Sequence, residues 1–225
     1  MLHCVEDNEA RVVGKVCGYL TYSHDVHGER FYRFMLSSRR LSENADLICV
    51  TISEKMLTEI SIDEGRYLEV SGQFRSYNNY SGEGNKLILT LFAKEAFMVD
   101  ETAEPVNEIY LNGYICKPIV YRVTPFGREI ADILLAVNRA YNKSDYLPCI
   151  AWGRNARYAR RLSVGQNVKI WGRMQSRDYQ KKISDSETVT KTAYEISVNR
   201  LELGEALPAK KEEPLFTHEE SEYFI

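Results

Sequence analysis

The chain of 225 residues repeats itself at a shift of 99 to 100 positions, and this repeat limits the folds that it can adopt. Over the first part of each copy the shift is 99 and matching residues are identical: Asn8 and Asn107, Gly14 and Gly113, Cys17 and Cys116, Arg40 and Arg139, Asp46 and Asp145. Further on the shift becomes 100, and residues 65–76 match residues 165–176 in their glycines and apolar positions. Self-similarity on this scale predicts two copies of one small domain.

The two copies differ in charge. We expect residues 1–100 to form the first domain, residues 101–106 a short linker, residues 107–205 the second domain and residues 206–225 a flexible acidic tail. The net charge is −6 over residues 1–105, +6 over residues 106–205 and −3 over the tail. A basic domain between two acidic segments indicates an anionic partner that binds the second domain.

Apolar and polar residues alternate within each copy, as they do in half-buried strands. In the second copy this pattern predicts strands over residues 109–121, 129–139, 146–152, 167–177 and 192–203, and a helix over residues 155–162. The first copy repeats this order, with Leu57 and Ile60 in the position of the helix. Five strands with a helix between the third and fourth are the layout of the OB-fold. The predicted fold class is therefore all-β (mainly β), with two tandem OB-fold five-stranded Greek-key barrels, each with one short helix between strands 3 and 4.

The second copy contains the residue types that hold single-stranded nucleic acid, which needs cations for phosphates and aromatic faces for unpaired bases. Tyr146 and Trp152 share one face of a predicted strand, and Trp171 lies between two cations on the outward face of the next strand. The candidate DNA-binding residues are Tyr141, Tyr146, Trp152, Trp171, Tyr179, Arg139, Arg154, Lys169, Arg173, Arg177, Lys181 and Lys182. The alternatives are that the aromatic residues pack in a core or a subunit interface and that the arginines of the helix form a solvated face.

Catalytic and metal-binding patterns are missing from the sequence. The four histidines lie in predicted loops or near the termini, and the five cysteines include no CxxC pair. We therefore expect no enzymatic activity, no metal and no cofactor. No apolar run is long enough to span a bilayer, and the first ten residues are acidic, unlike a signal peptide. The expected location is cytoplasmic and nucleoid-associated.

Four stretches of the second copy resemble the bacterial single-stranded DNA-binding protein family: residues 131–139, 149–154, 164–177 and 194–198. The resemblance covers about residues 107–203. It implies that aromatic side chains hold DNA, at positions that match Tyr141, Tyr146, Trp152 and Tyr179 here. The first copy has Ser42, Leu47, Ile52 and Asn79 at the corresponding positions, so we expect the first domain to serve assembly or to make an auxiliary contact. The resemblance also implies a homo-oligomer, a dimer that brings four OB-folds together.

These observations predict sequence-nonspecific binding and protection of single-stranded DNA in replication, recombination or repair. The alternative function is that of a primosome-like or conjugation accessory OB protein, which acts mainly through protein–protein contacts; RNA binding is a further alternative. The tail ends in Glu222, Tyr223, Phe224 and Ile225. This acidic and then apolar tip resembles the peptide with which family members recruit replication and repair proteins, so we expect it to dock partners.

Overall fold

The computed structural model describes residues 7–40, 44–79, 87–182 and 188–205, apart from the side chains of Tyr179, Lys181, Lys182 and Lys191. The first barrel contains strands β1 (Asn8–Val26), β2 (Glu29–Arg39), β3 (Ala45–Ser53), β4 (Tyr67–Asn78) and β5 (Leu87–Val99). The second contains β6 (Asn107–Ile115), β7 (Val120–Val123), β8 (Glu129–Arg139), β9 (Lys143–Trp152), helix α1 (Gly153–Ala159), β10 (Asn167–Lys182) and β11 (Thr188–Leu203). The predicted fold class, two tandem OB-folds, is confirmed.

Each barrel closes through one short parallel pairing. In the first barrel β3 runs parallel to β5, with Val50 beside Leu91, and in the second β9 runs parallel to β11, with Cys149 beside Ile196. The other pairings are antiparallel. Alternate residues of every strand point inward, and these apolar side chains form the core. Closure leaves the remaining residues of each strand on an outer face that is free to carry a binding surface.

Two predicted elements differ in detail from the structure. The strand predicted over residues 109–121 divides into β6 and β7, and Pro118, which has no N–H for a ladder bond, lies in the break. The helix predicted over residues 155–162 spans Gly153–Ala159, because it packs on the barrel through Ala156 and Ala159. In the first barrel the equivalent segment forms a single 3₁₀ turn, Met56–Thr58.

Strands β1 and β6 join the two barrels into one continuous sheet. They pair antiparallel, with Asn8 opposite Leu111 and Ala10 opposite Ile109. Ala10 and Ile109 are equivalent positions of the repeat, so a pseudo-twofold axis passes between them. The outer neighbours, β4 and β10, continue the sheet on either side of this pair. The chain therefore has the symmetry of a dimer that pairs identical strands.

A buried aspartate from each barrel contacts a serine of the other barrel, and the two contacts are reciprocal. The Asp46 carboxylate accepts the backbone N–H of Ser176 at 3.1 Å, and Asp145 accepts that of Ser76 at 2.9 Å. The serine hydroxyls accept in return, from the backbone N–H of Leu47 at 2.9 Å and of the residue after Asp145 at 2.7 Å. Both carboxylates are almost completely buried. These paired contacts fix the angle between the barrels.

Two arginines from different barrels bind the Asp46 carboxylate. Arg40 donates from Nε and Nη2 at 2.9 and 2.5 Å, and Arg173 of the second barrel donates from Nη1 at 2.5 Å. The hydrogen bond to Asp46 raises the pKa of Arg40. A charge that is buried and fully hydrogen-bonded is costly to disturb, because its partners cannot regain water without opening the structure.

We expect Asp46→Ala to lower the free energy of unfolding by about 3 kcal/mol, because it leaves two guanidinium groups without their carboxylate. Asp132→Ala is the matched control, since Asp132 pairs with Arg122 in solvent-exposed positions and its loss should cost less than about 1 kcal/mol. Urea unfolding followed by circular dichroism measures both values. Equal losses for the two variants would show that the Asp46 contact does not hold the barrels together.

Candidate nucleic-acid interface

The outward face of β9 presents two large aromatic side chains. Tyr146 is 50% exposed and Trp152 is 37% exposed, whereas Leu147, Cys149 and Ala151 between them point into the core. The alternation of the strand produces this division, because residues of even number lie on the outer side of β9, where Ile150 is covered and Tyr146 and Trp152 are exposed. The structure therefore places Tyr146 and Trp152 on one surface.

A groove lined by arginines runs past Trp152. Its volume is about 340 Å³, and the arginines in its wall are Arg128, Arg173 and Arg177 of the second barrel and Arg40 of the first. Two carboxylates lie beneath these cations: Asp46 binds Arg40 and Arg173, and Glu195 accepts from Arg177 at 3.3 Å. The balance of charge is positive, which suits an anionic backbone that runs beside an aromatic ring.

Sequence reasoning did not include Arg40 and Arg128 in this site. Arg128 is exposed at the start of β8, and Arg40 comes from the other barrel. The repeat contained a signal for Arg40, because it matches the predicted residue Arg139. Only the crossed packing of the barrels shows that Arg40 lines the groove of the second domain.

The turn between β8 and β9 carries the most exposed aromatic residue of the candidate set. Tyr141 is 93% exposed, and both Tyr141 and Asn142 have positive φ angles, 62° and 53°. A tyrosine in the left-handed region is unfavourable by about 1 kcal/mol or more, and such strain is concentrated at functional positions. Arg139, just before the turn, donates to Asp145 at 3.4 Å and lies over the ring of Tyr77 in the first barrel.

The arginines of α1 divide into two groups. Arg154 is exposed at the start of the helix. Arg157 pairs with Glu129 at 3.2 Å, and Arg160 lies over the ring of Tyr121 at 5.1 Å. The hydrogen bond from Tyr121 to Glu129 raises the pKa of that tyrosine. Arg157 and Arg160 therefore attach the helix to β7 and β8, while Arg154 keeps its place as a predicted phosphate contact.

Trp171 lies in a different groove from Trp152. Its ring is 5.2 Å from that of Tyr110 on β6, and Arg200 lies over it at 4.6 Å. This larger groove, of about 800 Å³, crosses the seam between β1 and β6. The ladder is irregular between Trp171 and Gly172, and Arg173, two positions on, reaches the groove of Trp152. The sequence analysis does not include Tyr110, although the alternation of β6 places this residue on the outer face. The predicted residue Lys169 is half-buried on β10, two positions before Trp171.

The strand pairings correct one position of the internal alignment. Trp152 lies opposite Ile130, and Ser53 lies opposite Phe31, so Ser53 is the structural equivalent of Trp152. The sequence comparison had matched Trp152 with Ile52, which is completely buried. The shift of the repeat changes from 99 to 100 only after this strand ends, in the segment that holds α1. The error came from applying the larger shift one element too early.

Several predicted residues lie outside the part of the structure that is described. These are the side chains of Tyr179, Lys181 and Lys182 and the tail residues Glu222, Tyr223, Phe224 and Ile225. Within the described ranges, no three side chains of His, Cys, Asp or Glu are arranged to hold a metal ion. Over the same ranges no helix has the length and apolar character that crossing a membrane requires.

Two closed barrels define the class of this protein as a tandem OB-fold protein, and the second barrel has the aromatic and basic outer surface that suits a nucleic acid. Comparison with known families specifies the second barrel. Residues 106–203 match the model of the Single-strand binding protein family. The resemblance found in the sequence is therefore confirmed for the second barrel, the part of the chain that this family model matches.

Curated relatives are similar to the same part of the chain, and a solved structure is similar to its fold. The chain is 33% identical over 104 residues to Single-stranded DNA-binding protein A of Bacillus subtilis, covering 43% of this chain and 60% of that protein. It is 34% identical over 82 residues to Single-stranded DNA-binding protein 1 of Staphylococcus aureus, and spans about half (49%) of that protein's length. The structure of the single-stranded DNA binding protein from Thermus aquaticus has the same fold, with a TM-score of 0.70 at 16% identity over 90% of this chain and 95% of that one.

We expect Tyr141→Gly to separate stability from binding. Glycine adopts positive φ without a steric penalty, so the variant should be more stable by about 1 kcal/mol. Loss of the exposed ring should weaken the affinity for oligo(dT) by about fivefold or more, as expected for one stacked base. Asn142→Gly is the control, because it relieves the neighbouring positive φ and removes no aromatic ring. Thermal unfolding and fluorescence anisotropy measure the two effects; unchanged affinity of Tyr141→Gly would remove Tyr141 from the site.

Proposed function

We propose that this chain binds single-stranded DNA without sequence preference through the outer face of its second barrel. The observation that carries the proposal is the exposed ring of Trp152 in the wall of a groove that also contains four arginines, with a second exposed ring, Tyr146, further along the outer face of the same strand. An aromatic face on the surface can stack on a base only where that base is unpaired. The arginines supply the charge that attracts the phosphates. The combination favours a single strand over a duplex.

The finer parts of the function follow from this assignment. The chain acts as a binding protein and not as an enzyme, and it protects single strands during replication, recombination or repair. The range 107–205 carries the main DNA contact, and 1–100 serves assembly or auxiliary contact. The acidic tail docks replication or repair proteins. The relatives named above support these roles by their names as single-stranded DNA-binding proteins.

Titration with fluorescently labelled oligo(dT) at two salt concentrations tests the proposal. Because each phosphate contact releases counterions, the affinity of the wild-type protein should fall steeply as salt rises. Trp152→Ala should weaken binding by about tenfold, the effect of losing one stacked base. Trp171→Phe is the matched control, since Trp171 lies in the other groove, and it should bind as tightly as the wild type.

Two results would contradict the proposal. If the wild-type protein does not bind oligo(dT) at low salt, the chain belongs with accessory OB proteins that act through protein contacts. If Trp171→Phe weakens binding and Trp152→Ala does not, the DNA runs through the larger groove. Tighter binding of oligo(U) than of oligo(dT) would favour RNA as the ligand.

We also propose that two copies of the chain associate through the outer face of the central sheet, which gives four OB-folds. The larger groove crosses the pseudo-twofold seam there, and the rings of Tyr110 and Trp171 lie in it. Its wall contains both acidic and basic side chains, among them Glu9, Arg11 and Lys94. A surface with both signs of charge around an aromatic centre is suited to a second copy of itself.

We expect sedimentation velocity to give twice the chain mass of 26.0 kDa for the wild type. Tyr110→Glu should reduce this to the mass of one chain, because it buries a carboxylate without a partner in the interface. Tyr19→Glu, at an exposed position of β1, should stay dimeric. A wild-type protein that sediments as one chain would refute the association.

A further inference from the structure

The pseudo-twofold axis relates the face beside Trp152 to a face on the outside of the first barrel. In the second domain the groove beside Trp152 contains Arg40 from the first barrel, which donates to the Ser176 carbonyl at 3.3 Å. In the first domain the equivalent arginine, Arg139, reaches across in the same way and lies 5.6 Å from the ring centre of Tyr77. Each barrel therefore has a face that is completed by an arginine of the other barrel.

The aromatic side chains of this second face lie at different positions from those of the first. At the paired positions on the strands, the second barrel has Ile130 and Trp152, and the first has Phe31 and Ser53. The large ring is therefore on β9 in the second barrel, as Trp152, and on β2 in the first barrel, as Phe31. A second ring is gained on β5, where Phe92 occupies the position equivalent to Ser197. Phe31 is buried, so it supports the neighbouring rings of this face from below, while Phe92 is half-buried.

The rings of this face contact one another in a row. His24 is stacked on Phe31, with centroids 5.1 Å apart and planes inclined by 13°. Phe31 is 5.4 Å from Phe92, and His24 is 6.5 Å from Tyr77. His24 and Tyr77 are half-buried, so both keep part of their rings at the surface. The row offers aromatic faces to a ligand and is supported from below by Phe31.

Arg75 supplies an unsatisfied donor to the same face. Its guanidinium lies over the ring of Phe92 at 3.9 Å, and its Nη2 donates to Gln73 at 3.0 Å. Its Nε is the one buried side-chain nitrogen or oxygen in the described ranges that has no hydrogen-bond partner. A buried donor without an acceptor is unfavourable, so a phosphate or base carbonyl that reached this nitrogen after a movement of the side chain would stabilise it.

His24 is suited to stacking because it is neutral. Burial and the nearby charge of Arg33 lower its pKa, and Asp25 opposes this more weakly. Its Nδ1 lies 2.8 Å from the Ser23 hydroxyl, to which Arg33 donates at 2.6 Å. The ring is thereby held in one orientation. An imidazole held in one orientation beside Arg33 can stack on a base.

We infer that the first domain has its own base-stacking site for single-stranded DNA, formed by His24, Phe31, Tyr77, Arg75 and Phe92. This inference rests on the proposed function, because the first-domain site would bind a further part of the single strand that the second domain holds. Tyr77 follows Ser76, whose hydroxyl accepts the backbone N–H of Tyr146 at 2.7 Å. The two stacking surfaces therefore meet at the seam between the barrels, and one strand passes from one to the other.

Affinity for oligonucleotides of two lengths tests this site. An OB-fold covers about 4 to 16 nucleotides, so dT of about 8 nucleotides occupies the second domain and dT of about 30 nucleotides reaches both. The double variant His24→Ala and Tyr77→Ala should bind the long oligonucleotide about tenfold more weakly and the short one as tightly as the wild type. His24→Phe with Tyr77→Phe should restore the affinity, since both rings can stack. Tyr19→Ala, which removes an exposed ring elsewhere on β1, is the matched control.

The outcomes separate the two proposals. Wild-type protein that binds neither oligonucleotide refutes the proposed function itself. Full affinity of the double variant for the long oligonucleotide, with normal binding of the short one, refutes the first-domain site alone. Photocrosslinking of wild-type protein to a long oligonucleotide that contains 5-iododeoxyuridine avoids any effect on folding. Crosslinks at Tyr77 or His24 are expected, and crosslinks at Trp152 without either would overturn the inference.

Discussion

The antiparallel pairing of β1 with β6 is the contact on which the arrangement of the whole chain depends. It places equivalent residues of the repeat opposite each other, with Ala10 beside Ile109. The aspartate–serine contact between the barrels then occurs in both directions, as Asp46 on Ser176 and Asp145 on Ser76. One register of one strand pair thus determines which side chains of the two barrels can meet. A slip of one residue would turn the inward side chains of one strand outward and separate both aspartates from their serines.

The arginines that hold the barrels together also reach the outer faces on which the two stacking sites are proposed. Arg40 binds the buried Asp46 and forms part of the wall beside Trp152, and Arg139 contacts both Asp145 and Tyr77. Packing of the domains and the charge of the surface are therefore coupled. An isolated second domain would keep Trp152 and Tyr146 and would lose Arg40. The groove beside Trp152 is therefore complete only when both domains are present.

Much of the fold was predictable from the sequence, because the repeat and the strand periodicity are local signals. The positions of Tyr146 and Trp152 on one face followed from parity alone. Three features could not be predicted. The crossed position of Arg40 depends on contacts between barrels, and the separation of Trp171 from Trp152 depends on an irregular ladder and the curvature of β10. The equivalence of Ser53 with Trp152 depends on where a single inserted residue lies, which strand pairing reveals and sequence identity does not.

Covalent linkage of the two barrels has a consequence for how this surface can change. In a dimer of identical chains, every substitution is made at both related positions, so a change that improves one face is imposed on the other. Here the related positions are encoded separately. Trp152 in one half corresponds to Ser53 in the other, and Ile130 corresponds to Phe31, so the two outer faces differ although the strands at the seam pair symmetrically. A single strand laid across this molecule would meet two different surfaces in a fixed order, so the chain has a direction that a symmetric pair lacks.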